Sequence, residues 1–289
     1  RAYVGASSGP DVLSNTQVLT LVLPEAVVTS GGSGFQISTW GVVGSGYNNW
    51  GAYADGFFYT TDTPDVFVAY VTLFDGEIKF RENNDWAVNF GDDGNDGTLD
   101  AGGANIVVTA GHYKIVLDMA NGTYTIEEFS WGVVGSAYND WGSSPDGKFF
   151  YDYTTDTFKI GIKLLDGEFK FRFNNNWDVN FGDDGGDGTL EAGGANLTVS
   201  AGHYAITIDM NAMTYTMEAA DLWGIVGSGY NDWGATPDFT FTQVNTDVWI
   251  AEIVSLLDGE IKFRINNQWD VNVGDDGADG SLEANGTNI

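Results

Sequence analysis

Glu77-Ile78-Lys79-Phe80-Arg81-Glu82-Asn83-Asn84-Asp85-Trp86 opens with strict alternation of polar and apolar residues. A period of two is the signature of a strand with one apolar face. Ile78 and Phe80 are expected to face a core, with Glu77, Lys79 and Arg81 on the polar side. The stretch returns as Glu168-Phe169-Lys170-Phe171-Arg172 leading to Trp177, and as Glu260-Ile261-Lys262-Phe263-Arg264 leading to Trp269. Six of the chain's 11 basic residues are these Lys/Arg pairs, in a sequence with 41 acidic ones. That placement reads as one site built three times.

Around this stretch the chain repeats every 91 to 92 residues from Trp40 onward. Nine of the ten tryptophans fall at three equivalent positions: Trp40, Trp50 and Trp86; Trp131, Trp141 and Trp177; Trp223, Trp233 and Trp269. The intervals of 10 and 36 residues are the same each time. Such a period is too long for a solenoid unit and fits a small domain. In the first repeat the pattern predicts strands near 40–44, 57–60, 66–73, 77–83, 86–90, 106–109, 112–118 and 123–127. Asp75-Gly76 and Asn121-Gly122 lie between alternating runs and signal hairpins. Short strands without a helical period predict an all-β chain of tandem immunoglobulin-like β-sandwich domains. The expected division is residues 1–23, two strands left from an immunoglobulin-like domain; 24–39, a Ser/Gly/Thr-rich linker; then modules one (40–130), two (131–222) and three (223–289). Module three ends where its siblings have roughly 25 residues more, so the chain is expected to be a fragment of something longer.

The totals narrow the function. A formal charge of −30 argues against nucleic acid or an anionic membrane as partner and favours a neutral or cationic ligand. With no cysteine there is neither a disulfide nor a thiolate metal site or nucleophile. No carboxylate pair sits in an apolar run that would raise one pKa for glycoside hydrolysis, so the chain is read as non-catalytic. The loop Gly91-Asp92-Asp93-Gly94-Asn95-Asp96-Gly97 also repeats, making Asp92, Asp93 and Asp96 candidate calcium ligands. It fails the EF-hand pattern, and a solvated, turn-rich loop is the other reading. No other cofactor is implied.

A neutral sugar offers C–H faces that lie on aromatic rings and hydroxyls that need fixed donors and acceptors. Trp50 lies in the polar loop Gly46-Tyr47-Asn48-Asn49-Trp50-Gly51, where a core role would be awkward. Trp86 follows a polar turn, but it shares alternation with Val88 and Phe90, so it is read either as a platform or as core. Trp40 opens a strand and fits a cap on the sandwich. Lys79 and Arg81 could instead pair with nearby acids, which at a surface is worth little.

The series Trp-Gly-Val-Val-Gly, Asn-Asn-Trp, Gly-Glu-Ile-Lys-Phe-Arg, Trp-Ala-Val-Asn-Phe-Gly, Asp-Gly-Thr-Leu and Asn-Ile-Val-Val resembles the C-terminal domains of the SusE/SusF family. That resemblance implies a surface glycan-binding protein of Bacteroidetes. It also implies a lipid anchor, outside the residues given, to the extracellular face of the outer membrane. Partnership with a SusC/SusD-type transporter follows from it too, as does polysaccharide, starch-like α-glucan above all, as ligand. A more distant likeness to CBM48-type glycogen-binding modules implies the site residues. They are Trp50, Lys79, Trp86 and Asn105 in module one; Trp141, Lys170, Trp177 and Asn196 in module two; and Trp233, Lys262, Trp269 and Asn288 in module three. Trp40, Trp131 and Trp223 rank second. The rival reading is a calcium-stiffened structural or adhesive array.

Overall fold

The computed structural model describes residues 16–22, 35–246 and 248–289. Every regular element among them is a β-strand. The strand read at Arg1–Val4 and the larger part of the 24–39 linker lie outside the described residues. The chain divides into two compact units, one built on module one and the other holding modules two and three.

In module one, Ile37–Gly44 pairs antiparallel with Gly76–Glu82, placing Gly41 opposite Arg81 and Val43 opposite Lys79. Gly76–Glu82 continues to Asn89–Gly91 and Ile106–Val108. Opposite lie Val66–Leu73, Gly111–Asp118 and Thr123–Glu128, also antiparallel. Gly56–Thr60 pairs with Ile37–Gly44 and with Val66–Leu73, joining both layers into one curled sheet. In modules two and three that linking strand breaks at Phe149 and Phe241, leaving two sheets in each.

The core lies between the layers. Val42, Phe58, Ile78, Phe80, Ile115 and Leu117 are fully buried, as alternation along each strand requires. Phe58 meets Phe80 edge to face at 5.8 Å, and the pairs Phe149–Phe171 and Phe241–Phe263 repeat that contact at 5.8 and 5.7 Å. Such packing adds about 0.5–1.5 kcal/mol beyond burial.

Two local expectations change. Asn121-Gly122 is a hairpin turn, with Asp118 opposite Thr123. Asp75-Gly76 is not, because Val66–Leu73 and Gly76–Glu82 belong to opposite layers and do not pair. Asp75 instead accepts the Ala110 amide at 2.8 Å and pins the chain as it crosses between sheets. The strand expected at 86–90 shortens to Asn89–Gly91, because Trp86 and its neighbours belong to a turn. In module two the equivalent strand is longer, Asn176–Gly182. Thr16–Val22 pairs antiparallel with Val248–Ser255. It lies on the edge that receives Gly111–Asp118 in module one and Gly202–Asp209 in module two.

Candidate functional site: a paired-indole platform

The loop carrying Trp50 is tied at its start. Gly44 O accepts the amides of Tyr47, Asn48 and Trp50 at 3.0–3.3 Å. Asn48 is fully buried; its Oδ1 accepts the Gly44 and Gly51 amides at 3.1 and 3.0 Å. Its Nδ2 donates to Tyr53 O at 2.9 Å and to Asp55 Oδ1 at 2.8 Å. The loop is thereby forced into a left-handed turn, with φ +62° at Trp50, +59° at Trp141 and +58° at Trp233. A bulky residue there costs about 1–2 kcal/mol. Keeping the same strained tryptophan in three copies points to a task for the ring.

Asp55 links that loop to the second tryptophan. Arg81 grips it bidentately, Nε to Oδ2 at 2.6 Å and Nη2 to Oδ1 at 2.8 Å, both side chains being buried. The Asp55 amide donates to Asn84 Oδ1 at 2.9 Å, fixing the turn that precedes Trp86. The guanidinium carbon lies 4.6 Å from the centre of the Trp86 ring. That cation–π support is worth about 0.5–2 kcal/mol. Gly51 must be glycine, because its φ is +98° and a Cβ there would also stand 2.8 Å from Arg81 Nη2.

Trp50 and Trp86 then stand side by side, ring centres 6.0 Å apart and planes inclined at 38°. Modules two and three reproduce the pair as Trp141–Trp177, at 6.1 Å and 37°, and Trp233–Trp269, at 6.1 Å and 36°. Below them Arg172–Asp146 and Arg264–Asp238 repeat the bidentate ion pair, with cation–π distances of 4.8 and 4.5 Å. The second tryptophan of each pair is exposed, at 44%, 44% and 46%. Trp86 is therefore not a core residue.

The lysines are placed otherwise than expected. Lys79 is only 7% exposed and donates to Gly103 O at 2.6 Å, because the segment around Gly103 covers the second face of its strand. Burial lowers its pKa, opposed in part by the charge of Asp93. Lys170 is buried and lowered in the same way, with Asp184 opposing. Lys262 is half-buried and donates to Asn272 Oδ1 at 3.0 Å. None of the three presents an open ammonium beside the rings.

The asparagines stay exposed but stand apart. Asn105 donates to Glu77 Oε2 at 3.0 Å, Asn196 to Glu168 at 3.1 Å and Asn288 to Glu260 at 2.7 Å. Glu77 and Arg81 are four residues apart on one strand, about 13 Å, so this polar pair marks the opposite end of the face from the indoles. Trp40 packs on Phe90 at 5.7 Å and against the module-one core, Trp131 is buried, and Trp223 packs against the module-three core. These three line the core rather than the platform. The sequence reading missed Asn48, Asp55 and Arg81 as the support beneath both rings.

The acidic loop closes on itself. Asp92 accepts the amides of Gly94, Asp96 and Gly97 and the Tyr124 hydroxyl. Burial works to raise its pKa, but these hydrogen bonds outweigh it and hold the carboxyl below the ordinary range. Asp93 accepts the Ala104 amide, and Asp96 accepts both donors of Thr98. Among the described residues no three acidic, histidine or cysteine side chains gather as a metal-ligand set. The three calcium candidates act as caps for backbone amides.

Residues 39–125 match the SusF/SusE starch specific CBMs. The match spans module one, and modules two and three repeat its platform residues at the same intervals. The chain is also similar to SusF from Bacteroides thetaiotaomicron, at 16% identity over 87% of this chain and 67% of that one. The TM-score of 0.28 is too low for that likeness to bear on fold or function. No curated protein matches the chain.

Proposed function

We propose that the chain is a non-catalytic surface protein that captures starch-like α-glucan on three paired-tryptophan platforms. The observation that carries this reading is the indole pair, inclined at 36–38° in every module with its second ring exposed. Two rings inclined to one another, rather than coplanar, suit the curved chain of an α-glucan better than the flat ribbon of a β-1,4-glucan. The match of module one to starch-specific modules supports the same ligand. Hydroxyls of a chain running along the face would meet the Asn105–Glu77 pair and its copies. The buried carboxylate beneath each platform is locked by arginine, which leaves it unsuited to acid–base work. Placement on the outer-membrane surface by a lipid anchor, and delivery of glucan to a SusC/SusD-type transporter, belong to the same proposal and rest on the family resemblance.

Affinity electrophoresis of the full chain in gels containing amylopectin, glycogen, laminarin or hydroxyethylcellulose tests it. Retardation is expected in the two α-glucans and is lost in the variant carrying Trp86→Ala, Trp177→Ala and Trp269→Ala together. Equal migration of that variant and the unaltered chain in every gel would refute the proposal.

A further inference from the structure

We infer that modules two and three work as one rigid body carrying two platforms at a fixed spacing, not as beads on a flexible chain. The rigid joint stands on geometry alone; its use in gripping one ligand with two platforms rests on the glycan-binding reading. The joint centres on Gly161, in the middle of the Thr157–Leu164 strand. A Cβ there would lie 2.5 Å from the carbonyl oxygen of Phe241 and 3.1 Å from Leu222 Cδ2. Only glycine lets the backbone of module three come so close. The approach is hydrogen-bonded, the Gly161 amide donating to Thr242 Oγ1 at 2.9 Å in a buried setting.

The surrounding contacts resist swivelling. Lys159 donates to Asp152 Oδ2 at 2.5 Å and to Val244 O at 3.4 Å, bridging both modules. Lys148 forms a partly buried ion pair with Glu252. The connecting segment is itself bonded and packed: the Ala220 amide donates to His203 O at 3.0 Å, and Leu222 is 2% exposed in the core of module three. The position of Gly161 is occupied by Tyr70 in module one, and the matching strand of module three, Val248–Ser255, contains no glycine. Glycine weakens a strand interior, so its presence in only the copy that meets a neighbouring backbone fits a built joint.

The absence of cysteine makes a clean test possible. Ala212→Cys and Asp258→Cys place spin labels at exposed sites on modules two and three of the full chain. Double electron–electron resonance should give one narrow distance distribution, broadened by Gly161→Leu. Should Gly161→Leu fail to fold, Lys148→Gln with Lys159→Met serves as the gentler variant. A broad distribution in the chain with native Gly161 overturns the rigid joint. Calorimetric titration with linear maltooligosaccharides of increasing length reads the second half. An affinity step of at least about tenfold is expected once one chain spans both platforms, and Gly161→Leu should abolish the step while leaving maltoheptaose binding unchanged. A narrow distance without a step overturns two-platform gripping. A narrow distance with no binding of any oligosaccharide overturns the glycan reading and leaves the joint standing.

Discussion

Replacing Arg81 by methionine keeps the length of the side chain but removes the charge that holds Asp55 and underlies Trp86. Asp55 is 4% exposed and would lose both charge-assisted bonds, of 2.6 and 2.8 Å, keeping only its link to Asn48. Leaving one partner of a buried ion pair uncompensated costs about 3–5 kcal/mol. For a module of this size each kcal/mol lowers the melting temperature by about 4–8 °C, so the module-one transition should fall by at least about 12 °C. Calorimetry of the full chain reads that shift, and hydrogen exchange on peptides covering 41–60 and 76–91 assigns it to module one. Pairing Arg81→Met with Asp55→Leu removes both charges and should recover most of the loss, since a well-packed apolar pair can replace a buried ion pair at little cost. A shift of under about 3 °C for Arg81→Met, or a double variant no better than the single one, would refute the role given to this ion pair.

Trp50→Gly removes one ring yet relieves about 1–2 kcal/mol of left-handed strain, so retention of module-one binding should vanish while its melting temperature changes by only a few degrees; a large destabilisation would show the ring to be structural. Acid should unfold the modules early: Asp92, Asp183 and Asp275 all have pKa values depressed below the unfolded value of 3.8. Their contribution is present above that value and lost as pH falls through the folded pKa. Asp92→Asn should therefore flatten the dependence of module-one stability on pH below about 4, and an unchanged acid limb in urea titrations would contradict this.

Much of the fold was legible because the three repeats report the same alternation, and a strand with one apolar face declares itself locally. The platform was legible for a related reason, since an indole in a polar glycine-rich loop has no ready structural use. What misled was the polar face of Gly76–Glu82. Alternation separates two faces but cannot say whether the second meets water, and here the segment around Gly103 covers it. Lys79 is consequently capped by a carbonyl, and Arg81 is neutralised by Asp55, 26 residues upstream and just before the Gly56–Thr60 strand. A signal did exist: Asn48, Asp55 and Arg81 recur as Asn139, Asp146 and Arg172, and as Asn231, Asp238 and Arg264, at unchanged intervals. Three buried polar types kept in step along a strand-rich repeat imply that they satisfy one another. Asp75-Gly76 failed as a hairpin signal because the same dipeptide also serves chain crossings between layers, which only the pairing of strands distinguishes.

The Asn–Asp–Arg anchor separates what holds a module's shape from what meets the outside. Every polar contact that fixes the anchor is made beneath the indoles, to backbone or to buried partners, while the upper ring faces belong to none of them. Exchanging a ring for tyrosine, histidine or a small residue would therefore retune or silence one copy and leave its scaffold intact. A triplicated chain of this kind can diversify copy by copy, one module keeping the ancestral ligand while its neighbours drift toward other sugars.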